Sequence, residues 1–132
     1  MIMTALQAVG LYAGLNMLLL LVLAANVSRH RRRAKVSLGT GTDKALEQAC
    51  RAHGNGIESV PLALIGLWMV AALGYPALWV HGLGLALTVG RGIYSYGLLT
   101  QAGPSIGRIS GTALTWLVFL VSALLLIAKA FI

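Results

Sequence analysis

Four long apolar stretches leave almost nothing of this 132-residue chain for anything else. An α-helix needs about 20 apolar residues to cross the hydrocarbon core of a bilayer, so four crossings with short connections use up the whole length. With 58% hydrophobic and only 10% charged residues, the chain lies far from the composition of a soluble globular domain. The reading that follows is a single domain over residues 1–132, an all-α integral membrane four-helix bundle with helices near residues 2–27, 44–73, 77–99 and 107–131.

The first stretch is too long for a signal-peptide core and has its cations after it rather than before, so it reads as a retained helix. Gly10 and Gly14 form a GxxxG step on it, a spacing that lets two helix backbones approach closely. Asn16 falls at mid-membrane depth, where an amide is expected to hydrogen-bond to a neighbouring helix. Residues 29–42 read as a basic, glycine-containing loop, after which Thr42 or Asp43 can cap a second helix. The apolar part of that helix, residues 59–73, is short for a span. It is therefore expected to begin in water and carry residues 51–58 through the interface, with Pro61 as a candidate kink. A Gly74-Tyr75-Pro76 turn leads into the third run, on which Gly82, Ala86 and Gly90 make a small-residue packing stripe. A Gly-Pro loop over residues 100–105 precedes the fourth.

The net charge of +7 would suggest nucleic acid in a soluble protein. Here five of the ten cations, Arg29, Arg31, Arg32, Arg33 and Lys35, follow directly on an apolar run, which is the positive-inside pattern of a membrane protein. Counted by connection, Lys44 and Arg51 join those five, Arg91 and Arg108 flank the third connection, and only Lys129 lies at the opposite end. The first and third loops are thus expected in the cytoplasm and both termini outside. Cys50 is the only cysteine, which excludes an intrachain disulfide, a CxxC redox pair and a thiolate zinc site within one subunit.

Chemistry is sought where ionisable groups meet the membrane, because they are costly there. Arg51, Asn55 and Glu58 stand at i, i+4 and i+7, on one face of the second helix. The topology brings Arg91, Tyr94 and Arg108 to the same membrane face from two other helices. One carboxylate among three arginines leaves a positive site that suits an anion, since arginine grips carboxylates and phosphates with two parallel hydrogen bonds. If Glu58 receives an ammonium group, the pattern matches a small acidic peptide with one amine. The competing reading is structural: Glu58 pairs with an arginine to join helices two and three, and the other cations reach lipid phosphates. His53 stands beside the polar face with no partner at metal-ligand spacing, so no metal site is expected.

The string Arg51-x-x-x-Asn55-x-x-Glu58-x-x-Pro61, followed by Arg91-x-x-Tyr94, resembles the MAPEG family of membrane-associated proteins in eicosanoid and glutathione metabolism. The likeness extends over nearly the whole chain in length, helix count and loop order, and points to the small bacterial branch near the microsomal glutathione transferases. It implies a homotrimer in a bacterial inner membrane, with glutathione as co-substrate bound between subunits at the cytoplasmic end. By similarity Arg51, Asn55 and Glu58 would hold the peptide, Arg91 and Tyr94 would complete the pocket, and His53 and Arg31 are further candidate glutathione-binding residues. A free thiol titrates near pKa 8.5 (about), so a cation must favour the thiolate. The resemblance assigns this catalytic role to Arg108, with Arg32 or Arg31 assisting. A hydrophobic electrophile from the lipid would be conjugated, or a lipid hydroperoxide reduced. Ser59 and Leu98 replace tyrosines that several eicosanoid-synthesising members carry, which argues against a leukotriene synthase.

Two other functions compete with this one. A noncatalytic membrane module could bind an anionic lipid or a partner protein through the same basic pocket. A small four-helix drug exporter matches the length, but it places its essential carboxylate in the first helix, where this chain has no acidic residue.

Overall fold

A computed structural model describes residues 3–131, which form four helices: α1 Ala5–Ala34, α2 Lys44–Ala72, α3 Ala77–Thr100 and α4 Ile106–Lys129. The helix starts follow from local chemistry. Thr4 and Gln7 close a reciprocal capping box on α1, the Asp43 carboxylate accepts from the Leu46 amide, and the Ser105 hydroxyl accepts from that of Arg108. Helix α1 ends later than the sequence suggested: residues 29–34, expected as loop, are helical, and the connection shrinks to residues 35–43. No helix breaker occurs before Gly39, arginine is a good helix former, and Arg31, Arg32 and Arg33 sit where cations favour the negative end of the helix dipole. Lys35 closes the helix in the left-handed conformation, at φ 55°. Pro61 lies inside an unbroken α2.

Helices α1, α2 and α4 are long and apolar enough to cross a membrane. The third carries His81, Thr88, Arg91 and Ser95, and like α2 it packs against all three other helices. Among the described residues α1 and α4 do not touch, so α2 and α3 form the centre of the bundle with the other two on opposite sides.

Two apolar clusters fill the interior. The larger, at the end that holds the chain termini and the α2–α3 turn, is built from Ala8, Ala63, Leu67, Val70, Val80, Leu87 and Val118. The smaller, at the basic end that holds the other two connections, is only Leu23, Ala52, Tyr94 and Leu98. Between them the Asn16 amide donates to Thr88 Oγ1 at 2.9 Å, the interhelical bond expected of it, and Tyr12 meets His81 Nδ1 at 3.1 Å.

Of the glycines expected to mark close packing, Gly90 does so, against α4. Gly10, Gly14 and Gly82 face open space. Close approach instead occurs where α3 crosses α4: a Cβ on Gly111 would lie 2.5 Å from the Gly90 carbonyl oxygen and 2.7 Å from Tyr94 Cβ. On Gly97 it would lie 2.7 Å from Ser105 Oγ. A four-residue repeat marks one face of a helix but does not say which face meets a partner, and here the contact face runs through Gly90 and Gly97.

Candidate functional site

The close α3–α4 crossing brings Arg108, in the first turn of α4, beside Tyr94, and around this pair two cavities meet. One, of about 360 Å³, is lined by Lys44, Glu47, Gln48 and Arg51 from α2, Tyr94 and Leu98 from α3, Ala102 from the loop, and Arg108. The other, of about 430 Å³, is lined by Tyr94, Pro104, Arg108, Ile109, Thr112, Ala113 and Trp116. The first is polar, with three cations and one carboxylate; the second is mostly apolar and opens along α4. Tyr94 and Arg108 belong to both.

Short links hold this end in place. Gln48 donates to the Leu98 carbonyl at 2.9 Å, tying α2 to α3 beside the polar cavity. The Arg108 guanidinium donates to the Gly103 carbonyl at 2.9 Å and so fixes the α3–α4 loop against its own helix.

The expected residues separate into groups. Arg51, Tyr94 and Arg108 come together at the polar cavity. Asn55 does not stay with Arg51 and Glu58 on one face: its carboxamide oxygen accepts from Arg91 inside the bundle. The reason is angular, since at 100° per residue positions i+4 and i+7 fall about 60° apart, enough at the edge of a helix to send one inward and the other out. Glu58 is exposed and lies 3.7 Å from Arg51 on its own helix, so the ion pair does not join α2 to α3. That junction is made by Arg91, which is buried and donates to Asn55, to Ser59 Oγ at 3.2 Å and to the Gly111 carbonyl at 3.2 Å.

Three further residues lie away from these two cavities. His53 faces an apolar groove with Gly14, Met17, Leu18 and Leu21 between α1 and α2. Arg31 clasps the α1–α2 connection, donating to the Gly39 carbonyl at 2.8 Å and to Cys50 Sγ at 3.6 Å. Arg32 is exposed. Both arginines ride on the added turns of α1, which carry them along the helix rather than back over the bundle.

A family model described as the MAPEG family matches residues 9–128. The chain belongs to the MAPEG family. It is also 33% identical over 114 residues to the inner membrane protein YecN of Escherichia coli K12, and equally to that of the O6:H1 strain CFT073, covering 86% of this chain and 86% of each relative. The four-helix membrane fold and the charged string at the head of α2 thus sit in a MAPEG protein.

Several lining residues of this MAPEG site escaped the sequence reading although a signal for them was present. Lys44 and Gln48 stand seven and three residues before Arg51, and Thr112 and Trp116 stand four and eight after Arg108, all at spacings that share a helical face. Ser59 stands four after Asn55 and joins the same Arg91 network.

Proposed function

We propose that this MAPEG protein is a glutathione-dependent membrane enzyme, conjugating hydrophobic electrophiles or reducing lipid hydroperoxides. The observation that carries the reading is the meeting of a polar cavity and an apolar groove at Tyr94 and Arg108. A reaction between a water-soluble thiol and a lipid-soluble partner needs two unlike compartments that share one wall. Glutathione has two carboxylates, one ammonium and a thiol, and the polar cavity sets Lys44, Arg51 and Arg108 against the single carboxylate of Glu47. Its volume lies within the range of about 300–1,000 Å³ usual for small-molecule sites. Arg108, on the shared wall, is the cation able to stabilise a thiolate there. The thiolate forms a bond to the electrophilic carbon, and the leaving group departs with its electron pair toward the groove.

The working unit is a homotrimer in the bacterial inner membrane. Arg51 and Glu58 are exposed on α2, about two and four turns from the start of the helix, the latter next to exposed Ile57 and Leu62. A second copy covering this surface removes charge from lipid contact and adds Glu58 to the ligand-binding groups. The inner-membrane relative supports this location, and the cation distribution supports cytoplasmic first and third loops with both termini outside.

Calorimetric titration of the purified protein with glutathione tests the reading. The parent protein should bind, and Arg51→Ala should bind about tenfold more weakly, the loss of roughly one charge-assisted contact. Arg108→Ala should lower turnover of 1-chloro-2,4-dinitrobenzene about 100-fold while the glutathione Kd changes far less. Absence of binding heat at millimolar glutathione would end this reading.

A further inference from the structure

Arg91 is 3% exposed, and neither ion pair found among the described residues includes it. Its partners are neutral: the Asn55 carboxamide, the Ser59 hydroxyl and the Gly111 carbonyl, contributed by α2 and α4. Ser59 in turn donates to the Asn55 carbonyl at 2.7 Å, which orients its oxygen to accept from the guanidinium. The guanidinium carbon stands 4.7 Å from the centre of the Tyr94 ring, within cation–π range. Arg91 lines neither cavity, whereas Tyr94 lines both.

We propose that Arg91 is a positioning residue: by tying α2, α3 and α4 together behind the Tyr94 ring, it sets the wall shared by the polar cavity and the apolar groove, and it touches neither ligand. Its two terminal nitrogens are committed to acceptors on two other helices and its Nε is buried, so it presents no donor to a ligand. Lysine cannot replace it, because three acceptors in different directions call for the planar fork of a guanidinium. The kinetic consequence rests on the glutathione reading; the structural one does not.

The test places 3-fluorotyrosine at position 94 and records its ¹⁹F spectrum in micelles for the parent protein, Arg91→Met, Arg91→Lys and Ser59→Ala. Arg91→Met should shift and broaden the Tyr94 signal, Ser59→Ala should shift it less, and Arg91→Lys should restore it only in part. With glutathione saturating, Arg91→Met should lower kcat about 100-fold while the glutathione Kd stays within about threefold, the signature of misplacement rather than lost binding. A Tyr94 signal unmoved in both Arg91→Met and Ser59→Ala overturns the proposal. So does an Arg91→Lys protein whose glutathione Kd rises tenfold with unchanged saturated turnover. If Arg91→Met does not fold, Ser59→Ala decides by itself. If the parent protein binds no glutathione, the functional reading fails, and the fluorine spectra still decide the role of Arg91.

Discussion

The two ends of the bundle are built on different terms. At the end bearing the chain termini, Leu67, Val70, Val80, Leu87 and Val118 are wholly buried, and four helices meet over aliphatic side chains. At the basic end the apolar cluster is smaller, with four buried residues of which two line a cavity, and much of the cohesion comes from directed bonds: Gln48 to Leu98, Arg91 to three acceptors, Arg108 to Gly103. Inside a membrane, apolar packing gains little from excluding water and depends on close van der Waals contact, so cavities weaken it directly. An end that must hold cavities therefore needs polar ties, and a close-packed end allows it to have them.

Substitutions at three levels bear on that contrast. The largest effect is expected at the joint between the ends. Gly111→Ala would drive a methyl into the Gly90 carbonyl and the Tyr94 backbone, and should destabilise the protein by about 3 kcal/mol, the upper part of the usual overpacking range. Gly82→Ala, with open space around it, should leave the Tm unchanged. Thermal unfolding in detergent compares the two. A Gly111→Ala protein as stable as its parent would show that α3 and α4 can separate without loss.

Next, Leu87→Ala in the aliphatic end should cost about 2 kcal/mol, low in the range for buried leucines because lipid rather than water receives the unfolded helix. Leu98→Ala should cost clearly less, because it widens a cavity that already exists. Equal losses, measured by unfolding in mixed micelles, would erase the distinction between the ends. The smallest effect belongs to the Arg51–Glu58 pair: a double-mutant cycle on folding stability should give a coupling under about 1 kcal/mol, as for other exposed ion pairs. A larger coupling, or one that falls with protein dilution, would place the pair inside an assembly.

Much of the fold was legible in the chain. Helix α2 starts at Lys44 and α3 at Ala77 as the cap and the Gly74-Tyr75-Pro76 turn indicated, and Asn16 makes the interhelical bond its depth called for. The end of α1 was misread because arginines both favour a helix and crowd a loop, and composition does not separate the two. The candidate site was half legible. Periodicity could align Arg51, Asn55 and Glu58, but the division among them depended on which edge of α2 faces α3. The family resemblance made Arg91 a ligand contact, and nothing along α3 opposes that; its burial comes from the glycines of α4, whose significance lies in a helix distant in sequence.

Hydropathy, capping residues and charge distribution thus determined by themselves that this chain makes four helices, three of them long and apolar enough to cross a membrane, and gathers all its cations but Lys129 at one end, since each depends on residues within a few turns of one another. Only the tertiary structure decided which of those cations line a cavity, which one is buried as a tie, and that Tyr94 and Arg108 stand where two unlike cavities meet. Those outcomes depend on how closely α3 approaches α4 and on the rotation of α2 about its axis, and a pattern along a single helix carries neither.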